Sequence, residues 1–333
     1  VVPCYFFLSG MLKNKNSFRL FFWLSLISLT GVVTYTIIHH ASFLFAEEPA
    51  HWVMWPFFKD HTSYGAVVAM FIPIAVGMYF SKQSSFFERP FLLSIVVILI
   101  IGVILSYTRA AWVSLVAAFV VYLILRLRIK VSTVLVGVAI GLFAFFSFYE
   151  QIMVRLESNK VESSDDLGEH VSSISNIATD ASNLERINRW ECAMDMFYDK
   201  PFFGYGPGTY QFYYARFQRP ENLTIISTNA GDNGNAHSEY LGPLAEQGIL
   251  GMFSMLLLII VVSYTAVKVY HRLPPGDLRM VVMTSFAGLI TYYTHGVLNN
   301  YLDTDKASIP FWGFTAMIVV IDIYYSKKDN VIS

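Results

Sequence analysis

The sequence predicts an all-α polytopic membrane protein: a bundle of about eight complete transmembrane helices plus a partial one, with a large extracytoplasmic loop containing short helices. Three observations predict it. The chain is 55% hydrophobic and only 14% charged, where a soluble domain carries roughly 25% charged residues. Apolar stretches able to cross ~30 Å of hydrocarbon recur along it. Lysine and arginine gather on alternate connections, as they do at the cytoplasmic ends of membrane helices. Backbone groups in lipid must pair within their own segment, so each stretch is expected to be a helix. The net charge of −1 supplies no basic face and argues against nucleic acid as a partner.

Taken in order, Val1 to Met11 reads as the tail of an apolar helix, and spans preceding it are expected to be missing from this sequence. Complete spans are expected at about 18–39, 63–81, 90–107, 110–127, 131–149, 249–270, 280–298 and 309–325. Threading them alternately places Lys13, Lys15, Arg19, Lys82, Arg89, Arg126, Arg128, Lys130, Lys268, Arg272, Arg279, Lys327 and Lys328 on one side. The short loops opposite hold Lys59, Arg109 and Lys306. That bias puts Glu150 to Gln247, and the loop Asn299 to Ser308, outside the cytoplasm. Three regions result: helices over 1–150, an extracytoplasmic loop over 151–247, and C-terminal helices over 248–333.

The outward segment His39 to His61 holds Trp52, Trp55, Phe57 and Phe58, the composition of an interfacial aromatic belt or, as the sharper alternative, of a contact to a lipid carrier. Within the large loop, Glu157 to Asp180 is rich in Ser, Asp, Asn and Glu and is expected to be flexible. Ser182-Asn183-Leu184-Glu185 has the form of a capping box and predicts a helix start. Ile187, Trp190, Met194 and Phe197 follow at helical spacing as an apolar stripe, with Arg186 and Arg189 off it. Pro201 ends the helix, and Gly204-Tyr205-Gly206-Pro207-Gly208 makes a turn. No strand precedes that turn, so its glycines do not read as a dinucleotide loop. Tyr210 to Phe217 is aromatic, suited to walling a sugar site or to packing. Cys4 lies in the apolar start and Cys192 in the polar loop, so no disulfide framework is expected.

The residues able to carry chemistry collect at one rim. His237, with Glu239 and Glu246, stands where the polar loop meets the apolar run Ile249 to Tyr270, a depth where ionisable side chains are costly and usually functional. Gly248 and Gly251 let a short helix end and a membrane helix begin there. A neutral imidazole with an ordinary pKa of about 6.5 can take a proton at ambient pH; it can equally be a hydrogen-bonded interfacial residue. Arg109, in the tight turn Ser106 to Trp112, either snorkels to headgroups or clamps an anion. Arg186 and Arg189 either form a solvated helix face or offer two planar forks to phosphate oxygens. Asp303-Thr304-Asp305 mimics a metal-binding Asp-x-Asp. Its loop is short and no Cys/His cluster has zinc spacing, so no metal or other cofactor is expected.

Three stretches also carry a resemblance. They are Thr108-Arg109-Ala110-Ala111; then Arg186-x-x-x-Trp190 followed by Pro201-Phe202-Phe203-Gly204-Tyr205-Gly206-Pro207-Gly208; and His237-Ser238, nine residues, Gly248-x-x-Gly251. In this order they resemble the signature of the O-antigen ligase family, bacterial membrane enzymes that move a lipid-carried glycan onto an acceptor. The resemblance covers roughly Ser106 to Gly251, and more loosely the rest of the chain. It implies a multi-pass glycosyltransferase of the inner membrane whose site faces the periplasm. Arg109 and Arg186 would bind the pyrophosphate of an undecaprenyl-linked glycan and stabilise charge on the departing diphosphate. His237 would activate the acceptor hydroxyl, and one displacement would invert the anomeric centre without a metal. Arg189, Tyr205, Tyr240 and Glu246 join these as candidate contacts to pyrophosphate or glycan. The acceptor stays open: a lipid A core in lipopolysaccharide biosynthesis, a growing glycan for a polymerase, or a protein for an O-oligosaccharyltransferase. A transporter or lipid flippase is the rival from another class. Such proteins put ionisable groups near the midplane, whereas the spans here are nearly free of charge inside.

Overall fold

The computed structural model describes residues 2–147, 181–220, 223, 227 and 234–326, and every regular element among them is helical. In order these are α1 (Val2–Met11), α2 (Lys15–Ala41), α3 (Glu47–Ala50), α4 (His61–Phe80), α5 (Glu88–Ile104), α6 (Arg109–Arg126) and α7 (Val131–Ser147). Then come α8 (Ala181–Asp199), α9 (Tyr210–Tyr213), a 3-10 turn over Tyr214–Phe217, α10 (Leu241–Arg272), α11 (Asp277–His295) and α12 (Asp305–Tyr324).

Five helices, over Asn16–Ala41, His61–Phe80, Arg109–Arg126, Leu241–Arg272 and Asp305–Tyr324, are long and apolar enough to cross a membrane. The protein is a multi-pass membrane protein. The other three expected spans fall on α5, α7 and α11. Helices α5 and α7 hold 17 residues each, the short end of what spans a bilayer. Helix α11 has 19 residues, but Asp277, Arg279 and a run of Thr, Ser and Tyr lower its apolar character. The stretch 157–180, expected to be flexible, lies outside the described residues.

The chain divides into two compact units, residues 1–123 with 256–333, and residues 124–255. The first is organised on α4, whose residues are buried almost throughout from Ser63 to Met78, and which packs on α5 and α11. Small residues permit that closeness: a Cβ on Gly288 would lie 2.7 Å from the Met70 carbonyl oxygen. Asp60 caps α4 by accepting the Ser63 N–H at 2.8 Å, a favoured use of aspartate. The turn before α6 is pinned by hydroxyls. Ser106 donates to the Val103 carbonyl at 2.7 Å and Thr108 to the His61 carbonyl at 3.0 Å, with Tyr107 in the left-handed region at φ 49°. This leaves Arg109 as the first residue of α6. In the expected aromatic belt, Trp52, Trp55 and Phe57 are exposed while Phe58 is buried.

The second unit has a core of Cys192, Ala193, Met196, Tyr210, Tyr214, Ala236 and Ala245. Helix α8 begins at Ala181, one residue before the expected cap. Its buried face corrects the expected stripe. Glu185, Asn188, Arg189, Cys192, Ala193 and Met196 face inward, at the i, i+3, i+4, i+7 spacing of one helix side, while Ile187, Trp190, Met194 and Phe197 are only half-buried. The physical reason is that the buried face opens with polar side chains that satisfy one another. A pattern of apolar residues alone does not register them.

Candidate functional site

His237 reaches its position through its backbone. The residue lies in the left-handed region at φ 46°, uncommon for a residue with a Cβ. Its N–H donates to Asn235 Oδ1 at 3.0 Å, and its carbonyl accepts from Trp190 Nε1 at 3.4 Å. Ser238 then caps the helix that follows: its hydroxyl oxygen accepts the N–H groups of Tyr240 and Leu241 at 3.2 and 3.3 Å. Glu239, the next residue, is buried. Burial, followed by the charge of Glu239, pushes the Tyr240 phenol up to about 12. His237 thus sits on a fixed main-chain corner between a tryptophan of α8 and the start of α10.

Beside that corner lies a buried polar network. Arg189 Nε donates to Glu185 Oε1 at 2.6 Å, both side chains at most 6% exposed. The Arg189 guanidinium also lies 4.0 Å from the centre of the Tyr214 ring, a cation–π distance. Asn188 donates to Gln218 Oε1 at 3.1 Å, and the Ser227 hydroxyl donates to Glu185 Oε2. Burial pushes the Glu185 carboxyl up, but hydrogen bonds from Ser227 and Arg189, with the Arg189 charge, outweigh it and hold the group below its ordinary range. The Tyr210 hydroxyl donates to the Arg189 carbonyl at 2.7 Å, and its ring stacks on Tyr214. Gly234, three residues before His237, comes so close that a Cβ there would meet Arg189 Nη1 at 2.1 Å. Arg189, expected as a solvated or substrate-facing group, is therefore a core residue. Arg186 follows Glu185 and is half-buried.

The glycine turn forms a second joint. Gly204, Gly206 and Gly208 all have positive φ, at 62°, 112° and 74°. The turn lies against the first half of α10 by main-chain contact: Gly206 N–H donates to the Glu246 carbonyl at 2.7 Å, and Tyr205 N–H to that of Ala245 at 3.3 Å. The Glu246 carboxylate accepts the Gly208 N–H at 2.8 Å through one oxygen and the Tyr210 N–H at 3.0 Å through the other. Glu246, expected as a substrate contact, clamps this turn. The Tyr205 hydroxyl donates to Asp199, and burial, then that bond, lifts the phenol to about 12. Helix α10 kinks against Pro201 and Phe202, just before the turn: Gly248 has φ 66° and ψ −159° within an otherwise helical stretch, where the sequence expectation put the change from short helix to membrane helix.

Six of the expected site residues, Arg186, Arg189, Tyr205, His237, Tyr240 and Glu246, belong to the second unit, and Arg109 belongs to the first. Asp305 opens α12 and Asp303 precedes it, its carboxyl pushed up by burial. Among the described residues no three His, Cys, Asp or Glu side chains gather into a metal-sized group. Sequence reading missed Glu185 as a partner of Arg189, although its signal was present: a Glu four residues before an Arg on one helix face. Asn188, Gln218 and Ser227 left no such signal. No curated protein matches the chain. Residues 94–256 match the family model described as O-Antigen ligase, a segment that takes in Arg109, Arg186 and His237. Over that segment, just under half of its length, the chain is similar to the O-antigen ligase family.

Proposed function

We infer that this membrane protein transfers an undecaprenyl-pyrophosphate-linked glycan to an acceptor hydroxyl at the periplasmic face of the inner membrane. The observation that carries the reading is the family match over residues 94–256, which contains all three residues the reaction needs. The acceptor oxygen forms a bond to the anomeric carbon as the bond from that carbon to the diphosphate oxygen breaks. Its electron pair leaves on the diphosphate, and the acceptor proton passes to His237. A single displacement inverts the anomeric centre. Arg109 and Arg186 bind the pyrophosphate and stabilise the charge growing on it, usually the largest contribution to such catalysis. These arginines supply the positive charge, so the reaction needs no metal.

The backbone of His237 makes the test clean. Asparagine is enriched in the left-handed region that residue 237 occupies, so His237→Asn preserves the corner while removing the base. Donor binding and glycan transfer measured separately on His237→Ala and His237→Asn are expected to show retained binding and a transfer loss of ~10²–10⁴-fold. An active asparagine variant would leave His237 a structural residue. In the unaltered protein, transfer is expected to fall as the imidazole becomes protonated at lower pH, because only the neutral ring accepts a proton.

A further inference from the structure

We propose that Phe202 and Phe203, at the head of the glycine turn, form a membrane-inserted foot seated at the boundary between lipid headgroups and acyl chains. Both are large, apolar and outward-facing, Phe202 at 69% and Phe203 at 78% exposure. Their depth is fixed by bonds to the membrane helix itself. Ile249 N–H, on the membrane side of the kink, donates to the Pro201 carbonyl at 2.8 Å. A Cβ on Gly248 would stand 2.4 Å from the carbonyl carbon and oxygen of Phe202. The main chain of the foot therefore rests directly on residues 248 and 249, where the apolar run of α10 begins.

The same part of α10 presents Leu250 and Phe253 outward, at 51% and 59% exposure, and most of the apolar run of this helix is left uncovered by the protein. The lipid-facing surface of this helix is thus continued, at its outer end, by two phenylalanines that would otherwise stand in water. Lys200, the exposed cation just before the turn, lies 4.2 Å from the centre of the Tyr205 ring. A lysine and a tyrosine beside apolar aromatics are what a bilayer interface selects, with the ammonium reaching phosphate while the rings sit below it. The foot holds the unit that carries His237 against the bilayer surface. On the function proposed above, that is the level at which a lipid-borne pyrophosphate emerges, but the insertion stands without it.

The experiment reads depth rather than activity. A spin label is placed at Phe202→Cys or Phe203→Cys in the full chain carrying Cys4→Ser and Cys192→Ala, in vesicles of phosphatidylethanolamine and phosphatidylglycerol. Arg216→Cys, at an exposed cation of the same unit, serves as the aqueous reference. Collision with oxygen is expected to exceed collision with a water-soluble nickel chelate at both phenylalanine positions, with the order reversed at residue 216. Nickel dominating at 202 and 203 would put the turn in water and overturn the proposal. Low collision with both reagents would mean that protein covers it, and would overturn the proposal equally. Because the label replaces outward side chains and leaves the main-chain joint intact, either site alone is decisive. A depth result in favour alongside an inactive glycan assay would sink only the enzymatic reading.

Discussion

At the scale of single residues, the two arginines of α8 separate. Arg186 stands where the sequence resemblance puts a family arginine, and it is proposed to grip pyrophosphate. Arg186→Ala is expected to abolish transfer without unfolding the protein, and Arg186→Lys to fail as rescue, because an ammonium lacks the bidentate fork. Arg189 is the buried partner of Glu185. Arg189→Ala strands a buried carboxylate, a change that typically costs about 3–5 kcal/mol, so its signature is a lowered melting temperature. Arg186→Ala being the less stable variant would invert these assignments. Glu185 adds a pH dependence. Its folded pKa lies below the ordinary 4.5, so the stabilisation is fully present above 4.5 and drains away as pH falls through the lower folded value. Thermal melts of the wild type between pH 6 and 3 should show a downward slope that Glu185→Gln flattens. The Glu–Arg pair was legible in the sequence as a helical i, i+4 spacing. The partners of Asn188 were not, since Gln218 and Ser227 arrive from 30 and 39 residues away.

At the scale of elements, the unit holding His237 depends on two glycines whose conformations other residues adopt at a cost. Gly248→Ala meets both a backbone conformation that essentially only glycine adopts, worth roughly 1–3 kcal/mol, and a clash with the Phe202 main chain. Gly204→Ala meets the Glu246 carbonyl carbon at 2.3 Å. Both variants are expected to lose transfer through misplacement of the turn, which limited proteolysis near Pro201 should report as faster cleavage; unchanged protection would refute the joint. The sequence announced a turn at 204–208 and a helix break at 248, because glycine pairs with proline and with helix ends for steric reasons. It could not announce that these two features touch. Main-chain contacts carry no side-chain pattern, and the segments stand some forty residues apart.

For the whole molecule, membrane helices were the most legible feature, because lipid offers the backbone no alternative to internal pairing. Their number was less so. Short α5 and α7, and the polar residues buried along α11, blur the boundary between a span and a buried helix. Orientation is tested directly: a reporter after Lys130 or Arg272 should read cytoplasmic, and one near Asn176 should read external. A cytoplasmic signal at Asn176 would overturn the proposed periplasmic placement of the site altogether. The acceptor follows from cells lacking the protein. Accumulated lipid-linked glycan with bare acceptor marks a ligase, and single repeat units mark a polymerase.

The contact between the glycine turn and α10 is made of carbonyls, amides and one carboxylate, and none of the bonds uses a side chain of Phe202 or Phe203. A joint of that kind is indifferent to what its outer residues are. Exchanging either phenylalanine for leucine, tryptophan or serine should move stability by no more than the ~0.5 kcal/mol usual for surface changes, while altering how the protein meets its lipid surroundings. Fold and membrane attachment are thereby encoded on separate atoms of the same eight residues. The turn can be retuned to a thicker, thinner or differently charged bilayer without renegotiating the position of the histidine behind it.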